Sequence, residues 1–209
     1  MSRQSSFGIC ELCSARVGKG AMVAHLRKCL VSPNEGEMPS PVLLVRAQES
    51  GTAMYWLDVA VSPGCKLGDL DGLLRRTWLE CCGHLSEFYT SGRRKVSMST
   101  GVGAALVAIG GSVEYVYDFG SSTELRVSLM DVVEANTARK VRVVARNEPP
   151  TWPCEVCGQP AKSLCGQCAY DGRGFYCPKH GSSDDCGEEM LLPVVNSPHM
   201  GVCAYTGEA

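Results

Sequence analysis

The sequence predicts an α+β protein: an antiparallel-rich sheet with one or two helices, flanked by two small cysteine-rich units. Three observations carry that expectation. Short alternating apolar segments separated by turn residues fill the middle of the 209-residue chain. One longer segment there has apolar residues at three- and four-residue spacings instead. The thirteen cysteines crowd toward the ends, three in the first 29 residues, seven in the last 56 and only three in between.

In chain order, residues 1–32 form the first cysteine-bearing unit. Residues 33–41 read as a linker, rich in proline, glycine and acids without apolar periodicity. Residues 42–147 form the middle domain. VLLVRAQ (42–48) and MYWLDVAV (54–61) read as strands. LGDLDGLLRRTWLECC (67–82) is an amphipathic helix, with Leu67, Leu70, Leu73, Leu74, Trp78 and Leu79 on one face. Asp69 and Asp71 suit its first turn, and Gly83 suits its C-terminal cap. GVGAALVAIGG (101–111) fits a short helix between glycine stops. SVEYVYDF (112–119), TELRVSLMDV (123–132) and RKVRVVAR (139–146) alternate as strands, with FGSST (119–123) turning between the first two. Pro149 and Pro150 introduce the last unit, residues 148–209.

No apolar run approaches the roughly 18–20 residues of a membrane span, and the first residues lack the apolar stretch of a signal peptide. Both predict a cytoplasmic protein with no membrane partner. Disulfides need an oxidising compartment, and an odd cysteine count excludes complete internal pairing. Paired cysteines two residues apart with histidines nearby are instead what a tetrahedral zinc ion uses, because a short turn aims both thiolates at one metal.

Cys10-x2-Cys13-x11-His25-x3-Cys29 has nearly the spacing of a ββα zinc finger of C2HC type, with His25 and Cys29 one helical turn apart. Phe7, Val17 and either Met22 or Val23 supply its small core. Metal supplies most of the stability of so short a unit. The tail carries Cys154, Cys157, Cys165, Cys168, Cys177, His180, Cys186 and Cys203, enough soft ligands for two more tetrahedral sites. The expectation is three zinc ions per chain. A sequential layout assigns Cys154, Cys157, Cys165 and Cys168 to one ion. A cross-brace pairs Cys154 and Cys157 with Cys177 and His180, and Cys165 and Cys168 with Cys186 and Cys203. The short gap between the first two knuckles favours the cross-brace. His199-x3-Cys203 also has ligand spacing, and with it the tail resembles a MYND-type unit, a protein-interaction module. Cys186 is preferred to His199 because that choice leaves no thiol idle.

DLDGLLRRTWLECCGHLSEF (69–88) and EYVYDFGSSTELRVSL (114–129) together resemble the plasmid pRiA Orf-three-like family, also labelled the IS-element passenger TnpR family. The matching places are Leu67, Asp69, Leu70, His84, Leu85, Phe88, Tyr117, Asp118, Phe119 and Gly120. The stretch 186–203 also looks like tails attached to some prokaryotic members. The resemblance implies an α+β fold over roughly residues 42–147 and a prokaryotic source, and no established activity.

No catalytic residue is assigned. Asp118-Phe119-Gly120 spells a kinase metal motif without the catalytic loop or phosphate-binding lysine that accompany it. Gly101-x-Gly103 lacks the third glycine of a dinucleotide loop. Cys81, Cys82 and His84 cluster at a helix end, where a hydrogen-bonded histidine is preferred to a ligand or a nucleophile–base pair. Net charge is -2 but uneven. Residues 1–32 hold Arg3, Arg16, Lys19, Arg27 and Lys28 against Glu11 alone, whereas the tail is acidic. The preferred function is therefore a zinc-binding, non-enzymatic adaptor with an unidentified protein partner. The alternatives are nucleic-acid contact through the basic finger, and an enzyme with a site near His84 and Asp118.

Overall fold

A computed structural model describes residues 6–30, 39–135, 140–183 and 185–207. The chain opens with a hairpin, β1 (Phe7–Cys10) and β2 (Arg16–Gly18), followed by α1 (Lys19–Leu30). The two long strands β3 (Ser40–Glu49) and β4 (Trp56–Val61) lead to α2 (Leu67–Leu74), which runs on as a single wider π-turn over Arg75–Leu79. Then come β5 (Ser86–Tyr89), β6 (Lys95–Val96), α3 (Val102–Leu106), β7 (Ser112–Tyr117), β8 (Thr123–Ala135) and β9 (Val141–Asn147). These nine strands make one antiparallel sheet in the order β2-β1-β9-β4-β3-β8-β7-β5-β6. The finger's hairpin is thus part of the central sheet, joined to it where Gly8 pairs with Asn147 and Cys10 with Ala145.

Both faces of this sheet are covered at its centre. On one, Leu57, Val59 and Val61 of β4 and Leu125, Val127 and Leu129 of β8 pack beneath α2 and α3, with Trp78 and Phe88. On the other, Trp56, Ala60, Val133, Ala135, Val144 and Ala145 pack beneath Met22, Leu26 and Leu30, which repeat every four residues along α1. The odd-numbered residues of β8 are buried along its whole length, yet they serve two cores. Leu44 pairs with Asp131 and Val45 with Leu129, so Met130 is an inserted residue. Because side chains alternate faces, one extra residue transfers all that follow to the opposite side. Val144 does the same in β9, between the partners of Asp58 and Val59.

The finger fits closely. Trp56 lies against Gly8, where a Cβ would come within 2.4 Å of the Arg146 carbonyl oxygen and 2.5 Å of the indole ring. The cross-strand partners Arg46 and Asp58 form a buried ion pair with two 2.7 Å hydrogen bonds. Arg46 also donates to the Lys19 carbonyl at the start of α1.

The helix expected over 67–82 ends early. Arg75 donates to Glu80 Oε2 (2.7 Å) and to the His84 carbonyl (2.8 Å), and Glu80 is extended. These bonds draw the chain out of the helix. Gly83, with φ +82°, turns the chain between Cys82 and His84 rather than capping a helix, and its N–H donates to Glu80 Oε1. Asp69 does cap α2, accepting from the Lys66 N–H at 2.8 Å.

Beyond residue 150, β10 (Ser163–Cys165), β11 (Phe175–Tyr176) and β12 (Leu191–Pro193) form a small separate sheet in the order β11-β10-β12. Its core is slight: Ala161, Leu164 and Phe175, with Trp152 stacked on Phe175 at 4.7 Å. Residues 196–199 then return to the central sheet. Asn196 and Asn147 exchange side-chain bonds, Ser197 Oγ donates to the Trp78 carbonyl (2.6 Å), and His199 meets Thr123. Among the described residues no helix is long and apolar enough to cross a membrane.

Candidate metal centres

Every cysteine except Cys65 belongs to one of four groups whose side-chain donor atoms converge, and none is in a disulfide. Tetrahedral zinc, with Zn–S near 2.3 Å and Zn–N near 2.0 Å, places its ligand atoms about 3.5–3.8 Å from one another. That edge length is the reference against which the spacing of each group is read.

The first group is Cys10, Cys13, His25 and Cys29. Cys10 ends β1, and Cys13 follows in a turn closed by the Ser14 N–H donating to the Cys10 carbonyl (2.8 Å). Ser14 has φ +60°, which swings the chain back toward β2. His25 Nε2 lies 3.3 Å from both Cys13 Sγ and Cys29 Sγ, and those two sulfurs are 3.7 Å apart. The second group is Cys154, Cys157, Cys177 and His180. Here His180 Nδ1 lies 3.6 Å from Cys154 and 3.3 Å from Cys177, and the Cys157 and Cys177 sulfurs are 3.8 Å apart. Burial pushes the Cys154 thiol up, but the N–H groups of Cys177, Cys157 and Val156 and the His180 ring outweigh it and bring it down to about 6. Backbone dipoles here already favour a thiolate.

The third group is Cys165, Cys168 and Cys186, with the latter two sulfurs 3.7 Å apart. Gly174, at φ +90°, passes directly over it: a Cβ there would lie 2.7 Å from Cys168 Cβ and 3.0 Å from Cys165 Cβ. The ligand groups of the tail interleave along the chain, as in a cross-brace. The sequence expectation for Cys203 is corrected, however. The bonds from Asn196, Ser197 and His199 carry the chain back to the central sheet, and Cys203 lies 3.4 Å from Cys82 rather than with Cys165. His199 is not with Cys165 either. It is fully buried, with Nδ1 2.7 Å from Thr123 Oγ1 and Nε2 3.6 Å from Cys81 Sγ.

The fourth group, Cys81, Cys82, His84 and Cys203, therefore joins the middle of the chain to its tail. The sequence reading of Cys81, Cys82 and His84 as a plain helix end is replaced by this convergence. Three soft donors within four residues, split by a glycine, were the available signal; the missing partner lies about 120 residues away and only the tail's docking reveals it. Hydrogen bonding with Cys82 and burial push the Cys203 thiol up to about 12. Crowded thiols resist ionising together unless a cation balances them.

The basic residues of the finger are largely engaged within the protein. Arg16 makes two bonds to Glu148 (2.6 and 2.8 Å), Arg27 pairs with Asp131, and Lys19 Nζ donates to the Ala53 carbonyl. Burial brings Lys19 down to about 8. Asp118, at φ +59°, accepts the Gly120 N–H in the turn after β7 and lies 3.6 Å from His84 Nδ1.

Fold and side chains together define an α+β protein with a large antiparallel sheet and Cys/His groups able to hold metal ions. No protein-family model and no curated protein matches the sequence. Among solved structures, a protein of unknown function from Methanosarcina mazei Go1 is similar with a TM-score of 0.43 and 16% identity, over 52% of this chain and 68% of that one.

Proposed function

We propose that this chain is a zinc-stabilised, non-enzymatic interaction protein that works through protein contacts in a prokaryotic cytosol. The observation that carries the reading is the closure of the Cys10 and Cys154 groups. Each brings four protein ligand atoms within 4.8 Å of one another, and four protein ligands are the pattern of a structural zinc, whereas a catalytic zinc keeps one position for water. The Cys165 group offers three described ligands to a third ion. The α3–β7 connection presents Val107 and Ile109 to solvent at 85% and 65% exposure, apolar surface of the kind that meets another protein. The internal pairing of Arg16, Lys19 and Arg27 reduces the positive charge these three residues offer for phosphate contacts.

Two measurements test this. Elemental analysis of protein purified without chelator should find zinc, and no other transition metal, at three or more ions per chain. Affinity purification from the native host should recover a protein partner that survives nuclease and is lost on Val107→Asp with Ile109→Asp. Recovery of nucleic acid with a steep salt dependence would overturn the reading.

A further inference from the structure

We infer that Cys81, Cys82, His84 and Cys203 form a fourth tetrahedral zinc site, and that this ion fastens the C-terminal unit to the central sheet. The four donor atoms converge within 4.8 Å of one another, with the contacts to His84 shorter than a zinc tetrahedron's edges. His84 Nε2 lies 3.0 Å from Cys82 Sγ and 3.2 Å from Cys203 Sγ, and the sulfurs of Cys82 are 3.4 Å from Cys203 and 3.7 Å from Cys81. Three thiolates and one imidazole are a borderline-soft donor set, which selects zinc over the harder divalent cations.

The surroundings are built for the same purpose. A ligating histidine ordinarily presents its second nitrogen to a carboxylate or carbonyl, which fixes its orientation. His84 turns Nδ1 toward Asp118 Oδ1 at 3.6 Å, and the Gly120 N–H donates to the same oxygen at 2.9 Å, fixing the carboxylate. A ligating thiolate is steadied by a donor, and buried His199 supplies one. A single tautomer satisfies both its contacts: the Thr123 hydroxyl donates to Nδ1 while Nε2–H points at Cys81 Sγ. Tyr117 packs edge-on against both His84 and His199 and has its hydroxyl 3.8 Å from Cys81 Sγ. Arg75 fixes the loop that carries the first three ligands, holding Glu80 and the His84 carbonyl. On the other side, Cys203 and Ala204 have φ of +49° and +55°. Two successive non-glycine residues in the left-handed region are strained, and such strain persists where surrounding structure imposes it. Here it aims the Cys203 sulfur at the other three donors.

Among the tail's metal groups, this one has a structural task the other two do not share. The tail's own core is small, and its other two groups tie it only to itself. The fourth ion would add a metal bridge to the central domain beside the hydrogen bonds of Asn196, Ser197 and His199.

The test counts metal in the full-length protein. Wild type should hold four zinc ions; Cys82→Ser and Cys203→Ser should each hold three, and the double variant also three, because both thiolates serve one ion. Cys65→Ser, a buried thiol outside every group, should keep four. A second measurement uses wild type alone. N-ethylmaleimide with mass spectrometry should find the exposed Cys82 and Cys203 protected in the zinc-loaded protein, and reactive together after chelation. The proposal is overturned if wild type holds three ions and both variants also hold three. Rapid labelling of Cys82 and Cys203 in the zinc-loaded protein, or a mass lower by about 2 Da that marks a disulfide between them, would also overturn it. Absence of zinc from wild type altogether would instead refute the proposed function.

Discussion

At the N-terminal end, β1 is hydrogen-bonded into the main sheet and α1 buries Met22, Leu26 and Leu30 against Trp56, Ala60 and Ala145. At the C-terminal end, a three-stranded sheet with a slight core reaches the same domain through Asn196, Ser197, His199 and Cys203. Both ends are cysteine-rich, yet among the described residues the first covers a core face of the central sheet and the second does not. The difference teaches that a metal-binding unit can be a structural layer or an attachment. Burial decides which: apolar area removed from water stabilises by about 25 cal/mol per Å², and the finger's helix supplies such area where the tail supplies mainly polar bonds.

The sharpest way to break the comparison is truncation. Removing residues 1–38 should expose the face around Trp56 and abolish cooperative melting, with strong binding of a hydrophobic dye. Removing 151–209 should leave a cooperative, if lower, transition. Equal behaviour of the two truncations would end the distinction. Next in size is a pair of core substitutions. Leu26→Ala should lower global stability by about 2–5 kcal/mol in denaturant titration. Phe175→Ala should leave the main transition in place and appear as faster proteolysis within the tail.

A smaller and more local effect is expected at Gly174. An alanine there meets the Cβ atoms of Cys168 and Cys165 from a left-handed backbone, costing about 1–3 kcal/mol. Cobalt titration should show the Cys165 group weakened while the Cys154 and Cys10 groups keep their affinity. The smallest effect belongs to Arg16→Ala. Its bonds to Glu148 lie at the surface, where ion pairs contribute little, so the melt should barely move. A large loss would mean that the finger is held by charge and not by burial.

Much of this architecture was legible in the sequence. The strands at Ser40–Glu49, Trp56–Val61, Ser112–Tyr117 and Val141–Asn147, the ββα finger and the ligand pairs Cys154–Cys157 and Cys177–His180 follow from alternation and spacing, which are local signals. What escaped was nonlocal. Nothing in Phe7–Cys10 announces that it pairs with β9, although Gly8, placed between bulky neighbours, marks where another backbone must approach. β8 reads as one unbroken alternation, so the change of face at Met130 is invisible without its partner strand. Cys203 was assigned by counting ligands along the tail, and counting cannot see that Ser197 and His199 turn that segment onto Trp78 and Thr123.

The pairing of Gly8 with Asn147 also orders events during synthesis. The finger's ligands are complete by residue 29, so this unit can close around its metal while most of the chain is still unmade. Its β1 edge and the apolar face of α1 must then wait for β9. At 5–20 residues per second, that interval is on the order of ten seconds. An open strand edge beside an uncovered apolar helix is a template for pairing with a neighbouring chain. Refolding yield from denaturant should therefore fall as protein concentration rises, and early association should map to residues 7–30 rather than to the tail.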